Sequence, residues 1–588
     1  MLVFLKDNGY QIPSYCGGKG SCGKCKIKVI SGIKEPDKQE KLLLDKTEIK
    51  KGVRLACKQK IEDDLIIDIP YLEQMSILTE GNNFKENLNP VLKKVQISAS
   101  PGDLNNYRGY LNYFYEKLSV NDITFKALKK LNKINSKKEK NIFNVIYDQQ
   151  KNRIIDICCV QHKKQPPRPF FGLAVDLGTT TIVLYLHNLT NGELIGTFSL
   201  QNPQEKYGAD VISRIKHTIE QPAGTKELQE LLISSLNQSI DEITGVHNIK
   251  KKDIYMVSMV GNTALLHFLL GMETESIANS PYIPKFTDSF KISPDIIGLD
   301  INKSGFITVL DSISGYIGAD ITADMLAVNM DQKNNKNELL IDIGTNGEIV
   351  LKNDSQITAC STAAGPAFEG ANILYGMAGI PGAISSFMLD DTGKRIYKTI
   401  GGQKAKGICG SGLLDITASL LEKKIITKQG KIREKKDISD QYQEYITEHK
   451  GHRAFIIKAE KEGTGNNKIL YTQKDIHELQ LAKGAIRAGI NILLNKTGIK
   501  KNEIDRIYLA GGFGNYLNPK NACKIGLLPE VQENKVIQIG NAAGSGARKH
   551  LLNQKSQKRL KNIKKNVKYI ELSTTTEFQN EFMKTIQF

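Results

Sequence analysis

Apolar and polar positions change their period several times along this chain, and the changes outline its parts. Strand-like runs occur at 26–30 and 65–69. Residues 81–89 are polar and Pro90 follows, which predicts a linker. Residues 91–157 hold a strand-like start, a Tyr-rich helix-like stretch and a second strand-like run at 142–147. They predict a small α+β unit without a chemical motif, closed by Cys158 and Cys159 packed in its core. Gln165-Pro-Pro-Arg-Pro169 reads as a stiff joint. Beyond it, Phe171-Gly-Leu-Ala-Val-Asp176-Leu-Gly178-Thr179-Thr180-Thr181 gives a buried strand, a tight turn and another strand. Glu338-Leu-Leu-Ile-Asp342-Ile-Gly344-Thr345-Asn346-Gly347 repeats it. A helix is predicted from Asp475, with Glu478 completing a capping box. Ile476, Leu479, Ala482, Ile486, Ile490 and Leu493 mark its buried face, and Gly498 lies past its end. Residues 549–568 place Leu552, Leu560, Ile563 and Val567 at helical spacing, which predicts one packed helix with a solvated basic face.

Length and composition narrow the class. A chain of 588 residues is too long for one core and implies three or four units. Its 40% apolar and 24% charged residues are ordinary for a globular protein. No apolar run is long enough for a membrane helix. The first residues lack a basic region and a small-residue cleavage site, so a cytoplasmic location is expected. The net charge of +18 is mostly scattered lysine, and the basic runs at 126–140 and 549–568 do not interleave aromatics. Neither nucleic acid nor membrane is expected as a partner, whereas an acidic protein is compatible.

The nine cysteines are unevenly used. Cys158, Cys159, Cys360, Cys409 and Cys523 are scattered, but Cys16, Cys22, Cys25 and Cys57 form a set. An odd, clustered count without a leader argues for a metal site over a disulfide framework. Gly17, Gly18, Gly20 and Gly23 let the backbone wrap closely around an inorganic core. The C-x5-C-x2-C spacing with a distant fourth cysteine is near the plant-type [2Fe–2S] pattern. A four-cysteine zinc site is the competing reading, but such sites pair two short hooks and Cys57 stands alone. The segment resembles the [2Fe–2S] ferredoxin domain, a β-grasp fold. That resemblance implies an opening β-hairpin and then a helix. This chain begins at what looks like the helix, residues 2–8, so the hairpin is expected to be missing and the cluster loop more exposed.

In both strand–turn–strand copies an Asp ends a buried strand, Gly admits a close approach and Thr offers donors. Such a hairpin can cradle phosphates while its Asp holds Mg²⁺ through water. Two copies suggest a duplicated fold with a nucleotide between its halves. Arg506-Ile-Tyr-Leu-Ala510-Gly511-Gly512-Phe513-Gly514-Asn515 adds a strand entering a Gly-rich turn that admits a base and ribose. This order is similar to the superfamily of actin, heat-shock chaperones and sugar kinases. Further strings, Val260-Gly-Asn-Thr-Ala-Leu-Leu-His267, Gly315-Tyr-Ile-Gly-Ala-Asp320, Ala364-Gly-Pro-Ala-Phe-Glu369, Gly407-Ile-Cys-Gly-Ser-Gly412 and Leu479-Gln-Leu-Ala-Lys-Gly-Ala485, look like one branch of it. Joined to a [2Fe–2S] domain, the whole resembles the reductive activators of corrinoid proteins.

The resemblance implies an enzyme that passes an electron from a [2Fe–2S] cluster, with ATP and Mg²⁺, to convert an inactive Co(II) corrinoid protein to Co(I) for methyl transfer. The cluster ligands would be Cys16, Cys22, Cys25 and Cys57. Asp176 and Asp342 would be the catalytic carboxylates, with Gly178, Thr179, Thr180, Gly344, Thr345, Asn346, Gly347, Gly511, Gly512 and Asn515 around the nucleotide. The partners would be a corrinoid protein of a methyltransferase system and an electron donor, with a homodimer left open. The expected domains are 1–78 (ferredoxin-like), 79–91 (linker), 92–168 (small middle domain) and 169–588 (ATP-binding). Two other classes share these features. One is a kinase for a small hydroxyl substrate, for which only Asp342 or Asp320 offers a catalytic carboxylate. The other is a redox sensor whose cluster gates ATP-driven binding. His477 imitates part of a cobalamin motif but has Gln480 where Gly is needed, and reads as a helix residue. His449 and His452 read as surface in a polar loop, and Cys360 and Cys409 as packed thiols.

Overall fold

A computed structural model describes the chain except residues 8–11, 13–17, 19, 21–22, 33–34, 45, 62–63, 70–86, 101–103, 105–108, 134–140, 161–168, 355, 460–467, 515 and 574. Near the N-terminus a helix Leu2–Asp7 packs with a three-stranded sheet of β1 (Lys26–Ser31), β2 (Val53–Leu55) and β3 (Ile66–Asp68). The order is β2-β1-β3 with antiparallel neighbours. Among the described residues no strand precedes β1. The next sheet comprises β4 (Leu92–Ala99), β5 (Asp122–Ile123), β6 (Asn141–Asp148) and β7 (Arg153–Val160) in the order β4-β6-β7-β5, covered by the helix Tyr110–Leu118. Here Cys158 is exposed and Cys159 only partly buried. The expectation that both pack in the core fails because β7 alternates, so adjacent cysteines point to opposite faces.

The large unit is a duplication, and its strand order shows it. The first half has β8 (Phe171–Leu177), β9 (Thr181–Asn188), β10 (Leu194–Gln201), β11 (Ile254–Gly261), β12 (Phe290–Ile292) and β13 (Phe306–Val309), ordered β10-β9-β8-β11-β13-β12. The second half opens with β14 (Glu338–Ile343), β15 (Gly347–Asn353) and β16 (Gln356–Thr362). Two small sheets follow, β17 (Ala383–Leu389), β18 (Arg395–Thr399) and β19 (Gly407–Ile408), then β20 (Ile446–His449), β21 (His452–Lys458) and β22 (Ile469–Thr472). The chain then returns with β23 (Arg506–Ala510), β24 (Val536–Gly540) and β25 (Val567–Tyr569), completing the order β24-β23-β14-β15-β16-β25. In each half an antiparallel hairpin, β8–β9 or β14–β15, has a parallel strand, β11 or β23, beside its first member. A second parallel strand, β13 or β24, lies beyond. The first strands are apolar along nearly their whole length, as strands covered on both faces must be.

After β13 comes the helix Ala319–Ala327, and after β24 the helix Ala542–Leu552. They cross where the halves meet. A Cβ on Gly546 would lie 2.1 Å from the Ala323 carbonyl oxygen, so only glycine permits that approach.

Two sequence expectations need correction. The long helix runs Gln473–Thr497, and its capping box is Thr472 with Asp475, one turn earlier than Asp475 with Glu478. The Thr472 hydroxyl caps Asp475 N–H, and the Asp475 carboxylate accepts back from Thr472. Residues 549–568 are not one helix. Lys549 and Leu552 belong to Ala542–Leu552, a second helix spans Lys555–Asn566, and Val567 opens β25. Lys549 is buried, with its ammonium donating to the Ala327 carbonyl at 2.9 Å and Asn329 Oδ1 at 3.1 Å, where a helix ends.

Candidate functional site

The two Asp-bearing hairpins face one another across the junction of the halves. Asp176 pairs with Val260 of β11, and Asp342 with Ala510 of β23, so each carboxylate stands at the C-terminal end of a parallel strand pair. The turn after Asp176 is tight: Gly178 N–H donates to Thr181 O at 2.9 Å, and a Cβ on Gly178 would meet that oxygen at 2.4 Å. The turn after Asp342 closes with Gly344 N–H on Asn346 O at 2.9 Å. Gly347 is packed so closely that a Cβ there would be 2.8 Å from Ile486. At the end of β23, Gly511 has φ +84°, and a Cβ would lie 2.4 Å from Asp342 Oδ1. The Gly-rich turn therefore abuts the second carboxylate. Gly512 follows in the short helix Gly511–Gly514, while Asn515 lies outside the described residues. Phe513 stacks on Phe368 with ring centroids 4.6 Å apart.

The cleft is rich in carboxylates. Burial pushes the Asp176 carboxyl up to about 7, with Asn541 Nδ2 donating to it at 2.8 Å and Asp342 raising it further. Asp320, in the first turn of Ala319–Ala327, is pushed up to about 7 by burial, Asp342 and Asp176. Asp342 is raised to about 6 by burial, with neighbouring Asp324 opposing the rise. Asp324 is fully buried, and burial together with the charges of Asp342 and Asp320 raises it well above its ordinary value. Glu348 is also raised, by burial and then by Asp342 and Asp320. Such crowding calls for a cation. Among the described residues no three acidic, histidine or cysteine groups form a ready-made metal cage. One or two carboxylates acting through water, with phosphate oxygens completing the shell, is the arrangement this donor set fits.

Backbone and side-chain contacts hold both hairpins. Arg214 is fully buried and donates to Thr179 O at 2.6 Å, and Asn202 donates to Thr180 O from its backbone at 2.8 Å and to Gly178 O from its side chain at 2.9 Å. Thr345 does not leave its hydroxyl free, since it donates to Glu369 at 2.9 Å. Asn541, Asp324, Arg214 and Glu369 were not singled out as site residues by sequence reasoning. Asn541 caps its helix in the string Gly540-Asn541-Ala542, and a helix cap immediately after a strand is the available signal.

Of the four cysteines, Cys16 and Cys22 lie outside the described residues. Cys25 and Cys57 are side by side, with sulfurs 3.3 Å apart and Cys25 buried. Thiolates about 2.3 Å from one tetrahedral metal stand about 3.8 Å apart, so a small opening of this pair fits two ligands on one iron. Ala56 N–H on Cys25 O, 2.7 Å, joins the two segments. Buried Glu40 fixes the second one. It accepts from Leu55 N–H at 2.8 Å, Gln59 Nε2 at 3.0 Å and, in its own capping box, Asp37 N–H at 3.1 Å. Cys360 and Cys409 are buried, as expected of packed thiols. His477 is exposed on its helix, and His449 and His452 face each other across the β20–β21 hairpin, not in a loop.

Three family descriptions match stretches of the chain. Residues 1–62 match the 2Fe-2S iron-sulfur cluster binding domain, 171–333 the RACo middle region, and 336–588 the C-terminal ASKHA domain of RACo. The corrinoid activation enzyme RamQ of Eubacterium limosum is 31% identical, over 99% of this chain and 94% of its own length. The [Co(II) methylated amine-specific corrinoid protein] reductase of Methanosarcina barkeri is 25% identical over 70% of this chain and 76% of its own. A solved structure titled reductive activator for corrinoid, iron-sulfur protein superposes with a TM-score of 0.76 at 34% identity, covering 100% of this chain and 95% of that one.

Proposed function

This chain belongs to the family of reductive activators of corrinoid proteins, and on that premise we propose how its parts divide the work. It is an enzyme that reductively activates a corrinoid protein and carries a [2Fe–2S] ferredoxin-type domain. When bound, the cluster supplies one electron and is itself oxidised, while cobalt on the partner goes from Co(II) to Co(I). Cys16, Cys22, Cys25 and Cys57 hold it in this reading, supported by the adjacent sulfurs of Cys25 and Cys57. A separate low-potential donor returns the electron.

ATP occupies the cleft between the halves. The β8–β9 and β14–β15 turns cradle its phosphates, and Asp176 and Asp342 orient Mg²⁺ through water. Gly511 and Gly512 admit the nucleoside. The observation that carries this reading is the pair of topologically equivalent Asp hairpins, with Asp342 close enough to raise the Asp176 carboxyl and Gly511 packed against Asp342. ATP is needed because plant-type clusters work near about −400 mV and Co(I) is harder to reach. A coupling of about 1–3 kcal/mol between nucleotide and partner sites offsets a gap of that order. A cytoplasmic setting belongs to this reading, and no described helix is long and apolar enough to cross a membrane. A homodimer is compatible with this reading, and light scattering measures it.

The test is a single-turnover reaction. Pre-reduced protein is mixed with a Co(II) corrinoid protein from a methyltransferase system, with or without ATP and Mg²⁺. The Co(I) absorption band should appear only with both. A corrinoid that stays Co(II) under all conditions, or reduction indifferent to nucleotide, rejects the ATP-coupled reading.

A further inference from the structure

Lys24, beside Cys25, reaches out of its own domain. Its ammonium donates to the carbonyls of Ile373 at 2.6 Å, Leu374 at 3.3 Å and Gly376 at 2.9 Å. Three carbonyls match the three donors of an ammonium. This cradle is rigidly held. Leu374 N–H donates to Asp475 Oδ1 at 2.8 Å, Ile408 N–H to Tyr375 O at 2.8 Å, and Met377 N–H to Ile408 O at 2.9 Å. A second contact, Lys450 Nζ on Leu42 O at 2.7 Å, ties the same two units together.

The cradle also continues the segment that leaves the nucleotide cleft. Thr345, in the turn of the second hairpin, donates to Glu369. The next residue, Gly370, has φ +84°, and a Cβ on it would be 2.5 Å from Met377 N. A Cβ on Gly376 would be 2.2 Å from Gly370 O. The two glycines are in backbone contact, so Glu369 cannot shift without displacing the Gly376 carbonyl that Lys24 holds.

We propose that Lys24 is a positioning residue that links the cluster-bearing domain to the nucleotide cleft through the 370–376 segment. This rests on the nucleotide reading above. With the cleft open, Lys24 holds its own domain on the cradle. Nucleotide phosphates draw Thr345 away from Glu369, the glycine contact transmits the shift, and that domain is released toward the corrinoid partner. A one-electron reduction adds negative charge beside Lys24, and its ammonium is then shared between that charge and the carbonyls. Reduction and nucleotide thus loosen one contact, so each favours the other by the same factor.

The experiment titrates a fluorescent ATP analogue with Mg²⁺ into oxidised and reduced protein, without any corrinoid protein. Wild type should bind about fivefold or more tightly when reduced. Lys24→Ala should bind equally in both states, and Lys24→Arg should keep part of the difference. Hydrogen exchange of the 370–377 amides, read also on cluster-free protein so that loading of the variant does not matter, should be faster in Lys24→Ala than in wild type. Adding nucleotide should accelerate it in wild type only. Equal affinity of wild type in both redox states, a full difference retained by Lys24→Ala, or unchanged exchange overturns the proposal. No nucleotide binding by any form, wild type included, instead rejects the cleft assignment on which it rests.

Discussion

Replacing Asp320 by Asn in nucleotide-free protein should stabilise the large unit, and more so at about pH 7.5 than at about pH 5. The Asp320 carboxyl is moved from 3.8 to about 7 by burial and by the charges of Asp342 and Asp176. The folded chain therefore keeps a proton that the unfolded chain releases, and between about pH 4 and pH 7 stability falls as pH rises. A rise of roughly three pH units is worth about 4 kcal/mol once both states are ionised, and about 1.7 kcal/mol at pH 5. The difference, about 2.5 kcal/mol, is a ceiling, because the side chain keeps a face toward the cleft; about 1–2 kcal/mol is the working figure. Asn keeps the shape and removes the charge. Scanning calorimetry in chelator at the two pH values should show the variant gaining about 1–2 °C more at the higher pH. Adding Mg²⁺ with ATP should narrow the gap by stabilising wild type. Equal stabilisation at both pH values would show that Asp320 is not held in a crowd of carboxylates.

Three further outcomes are expected. Cys57→Ser should lose the visible absorption of the cluster and most of its iron; retention of both, or zinc as the sole metal in wild type, rejects the cluster assignment. Asp176→Ala and Asp342→Ala should each lower ATP turnover by about 100-fold, since positioning of the metal is worth several kcal/mol; normal turnover in both contradicts the two-hairpin cleft. Glu40→Ala leaves the buried Leu55 N–H without its acceptor, so the N-terminal domain should lose about 1–3 kcal/mol of stability, seen as a lower melting transition with nucleotide affinity unchanged.

The two hairpins were legible in sequence because each packs a buried strand, a carboxylate and a glycine turn into one short string, and the string occurs twice. The duplicated fold followed from that. What escaped were residues whose role depends on a distant element. Asn541 meets Asp176 only after β24 lies beside β23, and Arg214 finds Thr179 only by folding back from its helix. Nothing in the sequence sets Glu40 apart from other charged residues, since the three donors it accepts from lie in segments before and after it. The capping box was displaced by one turn because Asp475 can serve as cap or as third residue, and only Thr472 at the end of β22 decides between them. Lys549 belonged to a basic run whose periodicity cannot distinguish a solvated lysine from one satisfying carbonyls at a helix end.

The crossing of Ala319–Ala327 with Ala542–Leu552 has a mechanical consequence. Where Gly546 faces the Ala323 carbonyl, the contact is backbone against backbone, and one turn on Lys549 pins the same two helices through the Ala327 carbonyl. A contact of this kind has no rotamer to exchange, so the crossing acts as a fixed pivot. The N-termini of the two helices carry Asp320 and Asn541, and both polar groups are therefore set in place before a ligand arrives at the cleft.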